Sequence, residues 1–259
     1  VPEEGAKGFS ILAEDPSRLA ASLEGVCGRF SSSLSDKQLL EAFDAVAEPQ
    51  LAPARYNVAP GMLVRAVVSD QSGRHLRVLR WGLVPSWAKS PAVGYKMINA
   101  RGETLASKPA FRRAFAQRRC VVPADAYYEW HRRAGPEGRV AKVPYAIVPK
   151  DGGLLVMAGL WERWEDRTRP EEPIWSLAVV TTRANDYLAG LHERMPVLLE
   201  GESWRAWLDP EAEPADLSGL VAPARDDYLV AYRVDERVNR ASNDGPELLA
   251  PLPGGRWGG

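Results

Sequence analysis

The chain has 259 residues, 45% hydrophobic and 26% charged, a globular composition that excludes wholesale disorder, collagen-like repeats and coiled coil. Its two cysteines, Cys27 and Cys120, exclude a disulfide-stapled scaffold and a four-cysteine zinc site, and no apolar run reaches the roughly 20 residues of a membrane-spanning helix. The net charge of −1 conceals an asymmetry: residues 27–150 hold 20 basic and 9 acidic side chains, residues 151–259 hold 11 and 20. The basic stretch reads either as a surface for a polyanion, most economically nucleic acid, or as one half of a fold whose halves neutralise each other.

Residues 1–26 are small, polar and acidic. They lack the basic and apolar regions of a secretory signal, and their acidity argues against a mitochondrial presequence, so the expected location is cytoplasmic. They read as an extension outside the fold, with a helical turn near 16–23. Ser35 opens a predicted helix over 35–47, with Leu39, Leu40, Phe43 and Val46 at helical spacing. Residues 49–61 read as a loop. Runs at 63–68 and 76–81 predict a hairpin around Ser72-Gly73. Residues 82–100 form a long irregular connection, a kind of loop often used for function. A short helix at 111–117 precedes strands at 119–122, 126–132, 144–148, 154–164 and 175–182. Helices near 184–190 and 203–207 and a strand near 228–234 follow. With no β-α alternation, the pattern predicts an α+β fold. We expect one domain over 27–259, an antiparallel, barrel-like sheet with peripheral helices.

Several residues have both a functional and a structural reading. Cys27 sits between Val26 and Gly28-Arg29. It reads either as a small buried hydrophobe or as a thiol that Arg29 shifts toward thiolate. His192, in Leu-His-Glu-Arg-Met-Pro, is one of three histidines. It is either tuned by neighbouring charges or merely bonded to its loop. Glu129, in Tyr-Tyr-Glu-Trp, is a general acid or base if it points inward, and an ordinary polar face if outward. Asn99 and Arg101 suit oxygen and phosphate recognition, or cap a short helix. Trp81 and Trp87, interleaved with Arg80 and Lys89, suit base stacking beside a phosphate path, or pack under the loop. No Walker loop, Rossmann glycine pattern or metal-ligand spacing is present.

Together these segments resemble the SRAP family, abasic-site sensors on single-stranded DNA. The matching pieces are Cys27-Gly-Arg-Phe, Arg55-Tyr-Asn-Val-Ala-Pro60, Trp81-Gly-Leu-Val-Pro-Ser-Trp87 and Ile98-Asn-Ala-Arg-Gly-Glu103. Arg119-Cys-Val-Val-Pro123, Tyr128-Glu-Trp130, Leu191-His-Glu-Arg-Met-Pro196 and Asn243-Asp-Gly-Pro-Glu-Leu248 follow in family order. The resemblance implies a basic cleft for single-stranded DNA containing abasic sites, and no metal or organic cofactor. It implies that Cys27 is the nucleophile, with Asn99, Glu129 and His192 beside it. Arg29 and Arg101 match phosphate contacts, Trp81 lies in the base-stacking segment, and Arg194 matches a basic position. The implied chemistry is a thiazolidine crosslink between an N-terminal cysteine and the lesion's aldehyde. No membrane and no obligate protein partner is implied, and a monomer suffices. An alternative is a cysteine autoprotease or hydrolase using Cys27, Glu129 and His192.

One departure matters. Cys27 is not the first residue, so its nitrogen is an amide and forms no thiazolidine. Three explanations are open: a true start at Val26 with the initiator residue removed, a pro-segment removed autocatalytically, or lost crosslinking. The first is preferred, because residues 1–26 differ in composition from the rest.

Overall fold

Apolar and branched side chains run almost unbroken through segments such as 119–124 and 155–160, the pattern of strands buried on both faces. The computed structural model describes residues 27–134, 139–166 and 168–259. The expectations for residues 1–26 lie outside the described residues. The first elements are β1 (Phe30–Ser32), α1 (Asp36–Phe43), β2 (Val46–Ala47), β3 (Arg55–Val58), β4 (Leu63–Asp70), β5 (Gly73–Trp81) and β6 (Asn99–Arg101). Then come α2 (Arg112–Gln117), β7 (Arg119–Ala124), β8 (Ala126–Ala134), β9 (Val140–Pro149), β10 (Leu155–Asp166) and β11 (Arg169–Arg183). The last are β12 (Arg194–Pro196), α3 (Ser203–Leu208) and β13 (Leu229–Arg233).

Strands β11, β10, β7, β4 and β5 pair in that order, and β5 returns to β11 through Ser176↔Arg80 and Leu177↔Trp81. The ring is therefore closed, which removes exposed strand edges. A second sheet runs β13–β9–β8–β1–β3. This is the expected α+β, barrel-like architecture. Alternate residues of the ring serve two cores. Val67, Val121 and Ala158 pack with Leu39, Phe43, Phe115 and Trp207 of the helices. Ala66, Cys120 and Met157 pack with Phe30, Tyr127 and Ile147 of the second sheet. Among the described residues no helix is long and apolar enough to cross a membrane.

The ring is tight where Gly159 faces Cys120. A side chain at 159 would meet the Cys120 Sγ at 2.8 Å. Gly159→Ala is expected to cost about 1–3 kcal/mol of stability through overpacking. Adding Cys120→Ala is expected to restore most of it, since the two sites share one contact. Urea denaturation of the two single variants and the double variant checks this, and simple additivity would refute it.

Three predicted elements need correction. The helix predicted to 47 ends at Phe43, because Asp44 adopts a left-handed φ of 47°. Val46 and Ala47 then pair with His75 and Leu76 as β2. Residues 184–190 form turns and no helix. The Asn185 carbonyl accepts from Leu188 N–H and Ala189 N–H, and its side chain is committed to the carbonyls of Ala224 and Arg225. The connection 82–100 ends in an ordered strand, β6, parallel to β11 through Val179↔Asn99 and Thr181↔Arg101.

Several cations of the basic stretch are internal. Arg119 is 6% exposed and donates to the carbonyls of Phe115, Ala116, Trp207, Asp209 and Ala212. Arg65 is likewise buried and binds Ser32 O, Leu34 O and Asp36. The fold therefore consumes some of these guanidinium groups internally and leaves other cations of the stretch exposed.

Candidate active site

The pairing of β1 with β8 sets the site. Phe30 lies opposite Tyr127, and Tyr128 N–H donates to Arg29 O at 2.9 Å. Carrying that antiparallel register two residues further brings Gly28 to Glu129 and Cys27 just beyond it. The Cys27 N–H accordingly donates to Glu129 Oε1 at 2.7 Å, across 102 residues of sequence. Both residues are buried, at 3% and 5% exposure. Glu129 thus points inward, and the outward reading of the Tyr-Tyr-Glu-Trp strand is discarded. Cys27 also holds a backbone φ of 46°, in the left-handed region where a non-glycine residue is strained.

Burial dominates the proton affinities. It raises the Glu129 carboxyl above its ordinary value, while the nearby His192 pulls in the opposite direction. It also raises the Cys27 thiol well above its ordinary value, helped by the charge of Glu129 and a hydrogen bond to it. The cation that opposes this rise is Arg194. The sequence suggested Arg29 for that part. Instead, Arg29 Nη1 donates to Asn57 Oδ1 at 2.9 Å and Val238 O at 2.8 Å, and its guanidinium stands 5.9 Å from the Trp130 ring. Burial lowers its pKa to about 10. Arg29 is a buried strut that ties β1 to β3 and to the residues around 238, not a solvent-facing phosphate contact.

His192 follows the turns at 185–191, and its N–H donates to Leu188 O at 3.0 Å. Its Nδ1 lies 3.1 Å from Arg194 N and 3.3 Å from Arg194 O. A bare Nδ1 accepts from that N–H and an Nδ1–H donates to that carbonyl, so Arg194 holds the imidazole in either tautomer. The Nε2 position is left for another partner. Arg194 forks onto both carboxylate oxygens of Glu103 at 2.9 Å and reaches Thr181 O at 2.8 Å. That bond holds the Glu103 carboxyl below its usual range.

The fold thus brings together Cys27, Glu129, His192 and Arg194. Asn99 is half-buried on β6 and sits beside Val179, two residues from the Thr181 that Arg194 grips. Arg101 is exposed at the register of Thr181. Trp81 is corrected. It is 1% exposed, packs 5.0 Å from Phe30, and donates Nε1–H to Ile98 O at 2.9 Å. An indole locked on both edge and face has nothing to offer a base. Trp87, in the same segment, is 63% exposed and has the open ring. Sequence reasoning missed Asn57, which is fully buried and holds Val238 O, Arg240 O and Asn243 O as well as Arg29. Its signal was present in Arg-Tyr-Asn-Val-Ala-Pro, but nothing local names partners about 180 residues away.

Known proteins resemble this chain in sequence and fold. The model of the SOS response associated peptidase (SRAP) family matches residues 26–241. The abasic site processing protein YoqW of Bacillus subtilis is 39% identical over 228 residues, covering 86% of this chain and 99% of that protein. The abasic site processing protein HMCES of Gallus gallus is 33% identical over 208 residues, covering 71% of this chain and 60% of that protein. A crystal structure of a Bacteroides thetaiotaomicron protein superimposes with a TM-score of 0.77 at 25% identity, covering 87% of this chain and all of that one. A family match over residues 26–241, with a relative 39% identical along almost its whole length, establishes that the chain belongs to the SOS response associated peptidase family.

Proposed function

We propose that this chain processes abasic sites in single-stranded DNA and captures them covalently through Cys27 once that residue is N-terminal. One observation carries the reading: the Cys27 nitrogen lies 2.7 Å from a buried carboxylate oxygen of Glu129. The reaction needs a base at that atom. An abasic deoxyribose opens to an aldehyde. The free α-amine, with a reference pKa of about 8, adds to the carbonyl carbon and forms a carbinolamine. Loss of water leaves an imine. The Cys27 thiol then adds to the imine carbon, sulfur forming the new C–S bond and the thiol proton passing to nitrogen. The product is a five-membered thiazolidine, and the sum of the steps is one water released.

Glu129 takes the ammonium proton and returns it to the departing hydroxyl, a shuttle suited to a carboxyl whose proton affinity is raised by burial. His192 offers Nε2 to the sugar oxygen. Asn99 holds amine or sugar by hydrogen bonds, and Arg101 takes a flanking phosphate. The field of Arg194 favours the thiolate. Holding amine, thiol and aldehyde together supplies much of the acceleration. Lys89, Lys96, Arg101, Lys108, Arg112 and Arg113 are all exposed, and Glu103 is the single acid among residues 89–113. This stretch, with the open ring of Trp87, is the surface we assign to the DNA.

The test is incubation of Cys27-first protein with an abasic single-stranded oligonucleotide, followed by a denaturing gel. We expect a shifted band that is absent with an intact oligonucleotide and absent for Cys27→Ala. No band from the Cys27-first protein overturns the reading. Trp87→Ala is expected to weaken binding of an intact single strand by about 1–3 kcal/mol, the worth of one stacked base, without lowering the melting temperature. Fluorescence anisotropy measures it, and unchanged affinity would remove Trp87 from the DNA surface.

A second activity, hydrolysis of the 26–27 peptide bond, is favoured by the strained φ of Cys27 and by the carboxyl beside the nitrogen that would leave. Intact mass of protein kept without DNA tests it.

A further inference from the structure

Glu129 and His192 are carried by separate parts of the fold, β8 and the turns at 185–191, and one indole joins those parts. The Trp257 Nε1–H donates to Tyr187 O at 2.9 Å, inside the turns. Its ring lies so close over Gly190 that a side chain there would come within 3.2 Å of Cζ2. Two residues later the chain reaches His192. On its other side the ring meets His131 edge-on at 4.9 Å and Tyr145 at 5.4 Å. Tyr145 is the residue opposite Glu129 in the β8–β9 register, and His131 is the next residue after Glu129 on that face. The backbone fastens the ring in place. Trp257 N–H donates to Ala231 O at 2.8 Å, and the Tyr187 hydroxyl accepts from Ala231 N–H at 3.1 Å and donates to Trp257 O at 3.3 Å.

We infer that Trp257 is a positioning residue, which fixes the imidazole of His192 relative to the Glu129 carboxylate by clamping the 185–191 turns to the β8–β9 pair. This rests on the roles given above to Glu129 and His192. Asn185 anchors the start of the turns to Ala224 O and Arg225 O, and Leu188 and Leu191 pack their apolar side into the core; Trp257 is the contact that carries their end across to His131 and Tyr145 of the β8–β9 pair. A glycine at 190 is what lets the indole approach the backbone so closely. The ring spans two elements, so its loss moves one against the other, and a small displacement of a proton-transfer group is costly in rate.

The experiment uses Cys27-first protein carrying Trp257→Ala, Trp257→Phe, His192→Ala or the Trp257→Ala/His192→Ala pair. Three quantities are read: the crosslinking rate at saturating abasic oligonucleotide, the Kd for an intact oligonucleotide, and hydrogen exchange of the His192 amide. We expect Trp257→Ala to slow crosslinking by about ten- to a hundredfold, with Kd unchanged and faster amide exchange. Trp257→Phe, which keeps a ring on Gly190 and His131, is expected to recover most of the rate. In the His192→Ala background the same change is expected to add little, because its effect passes through His192. A full multiplicative loss in the double variant, or weakened Kd with an unchanged saturated rate, overturns the inference. If the wild type forms no crosslink, the reading of the site fails, and amide exchange then decides this inference alone: unchanged exchange at His192 in Trp257→Ala overturns it.

Discussion

Protein that begins at Cys27 is expected to crosslink an abasic single strand, and protein in which residue 26 remains joined to Cys27 is expected to give no crosslink at all. The reason lies in one nitrogen. As an α-amine it has a lone pair and a reference pKa of about 8, so a useful fraction is nucleophilic near neutral pH. As an amide its lone pair is delocalised into the carbonyl, the bond to carbon has partial double-bond character, and no imine forms. The thiol alone gives only a reversible hemithioacetal. The site remains able to bind DNA in either form, so binding and crosslinking separate. Both forms are incubated with the same abasic oligonucleotide and resolved on a denaturing gel, with intact mass confirming the N-terminus. A shifted band from protein that still carries residue 26 would sink the amine argument. Cys120→Ala is expected to leave the band intact, because Cys120 is fully buried in the ring, where burial alone raises its thiol above the ordinary range.

In Cys27-first protein Glu129→Gln is expected to lose about 10²–10⁴-fold in crosslinking rate, the range for removing a positioned acid-base group, and in the chain that retains residue 26 it is expected to raise stability at neutral pH. The two effects have one origin. Burial is the largest influence on the Glu129 carboxyl and raises its pKa, so the folded chain holds that proton more tightly than the unfolded chain does. The stability gained from this proton is fully present below the unfolded pKa, about 4.3, and is lost as pH rises through the higher folded value. Above that value the wild type buries a charge, and the amide variant does not. The substituted side chain still offers a carbonyl oxygen to accept the Cys27 N–H. The variant's advantage in melting temperature should therefore be clear at about pH 8 and shrink toward about pH 4. Thermal melts of the chain that retains residue 26 across that range, with single-turnover crosslinking of Cys27-first protein at neutral pH, measure both halves. A destabilised variant at pH 8, or an unchanged crosslinking rate, contradicts the assignment. Such exchange of stability for a functional group is a recognised feature of buried ionisable sites.

Much of the architecture was legible locally. The hairpin of β4 and β5 could be read because apolar residues fill both arms around Ser72-Gly73, and the arms pair from Leu63↔Arg80 to Asp70↔Gly73. The start of α1 could be read because Ser35 and Gln38 form a reciprocal cap. Its end could not: a single left-handed residue, Asp44, stops it, and aspartate adopts that conformation too rarely to signal it. Strands β1, β3, β6 and β12 are three or four residues long, too short to show a period, and exist because a neighbouring strand offers them partners. The residues of the site were named through family segments, yet local sequence did not distinguish Trp81 from Trp87. Both are aromatic, both sit in one segment beside cations, and only packing buries one and leaves the other 63% exposed.

The amino-acid sequence by itself determined the class of fold and the family segments in their order. These are matters of residue identity and short-range pattern. The tertiary structure decided which cations face outward, since Arg119, Arg65 and Arg29 are consumed by carbonyls and side chains far along the chain. It also decided that Glu129 points at the Cys27 nitrogen, that Arg194 and not Arg29 acts on the thiol, and that Trp257 joins the parts that carry Glu129 and His192. Each of these depends on contacts between residues tens to hundreds of positions apart, and strand register, not local sequence, sets such distances.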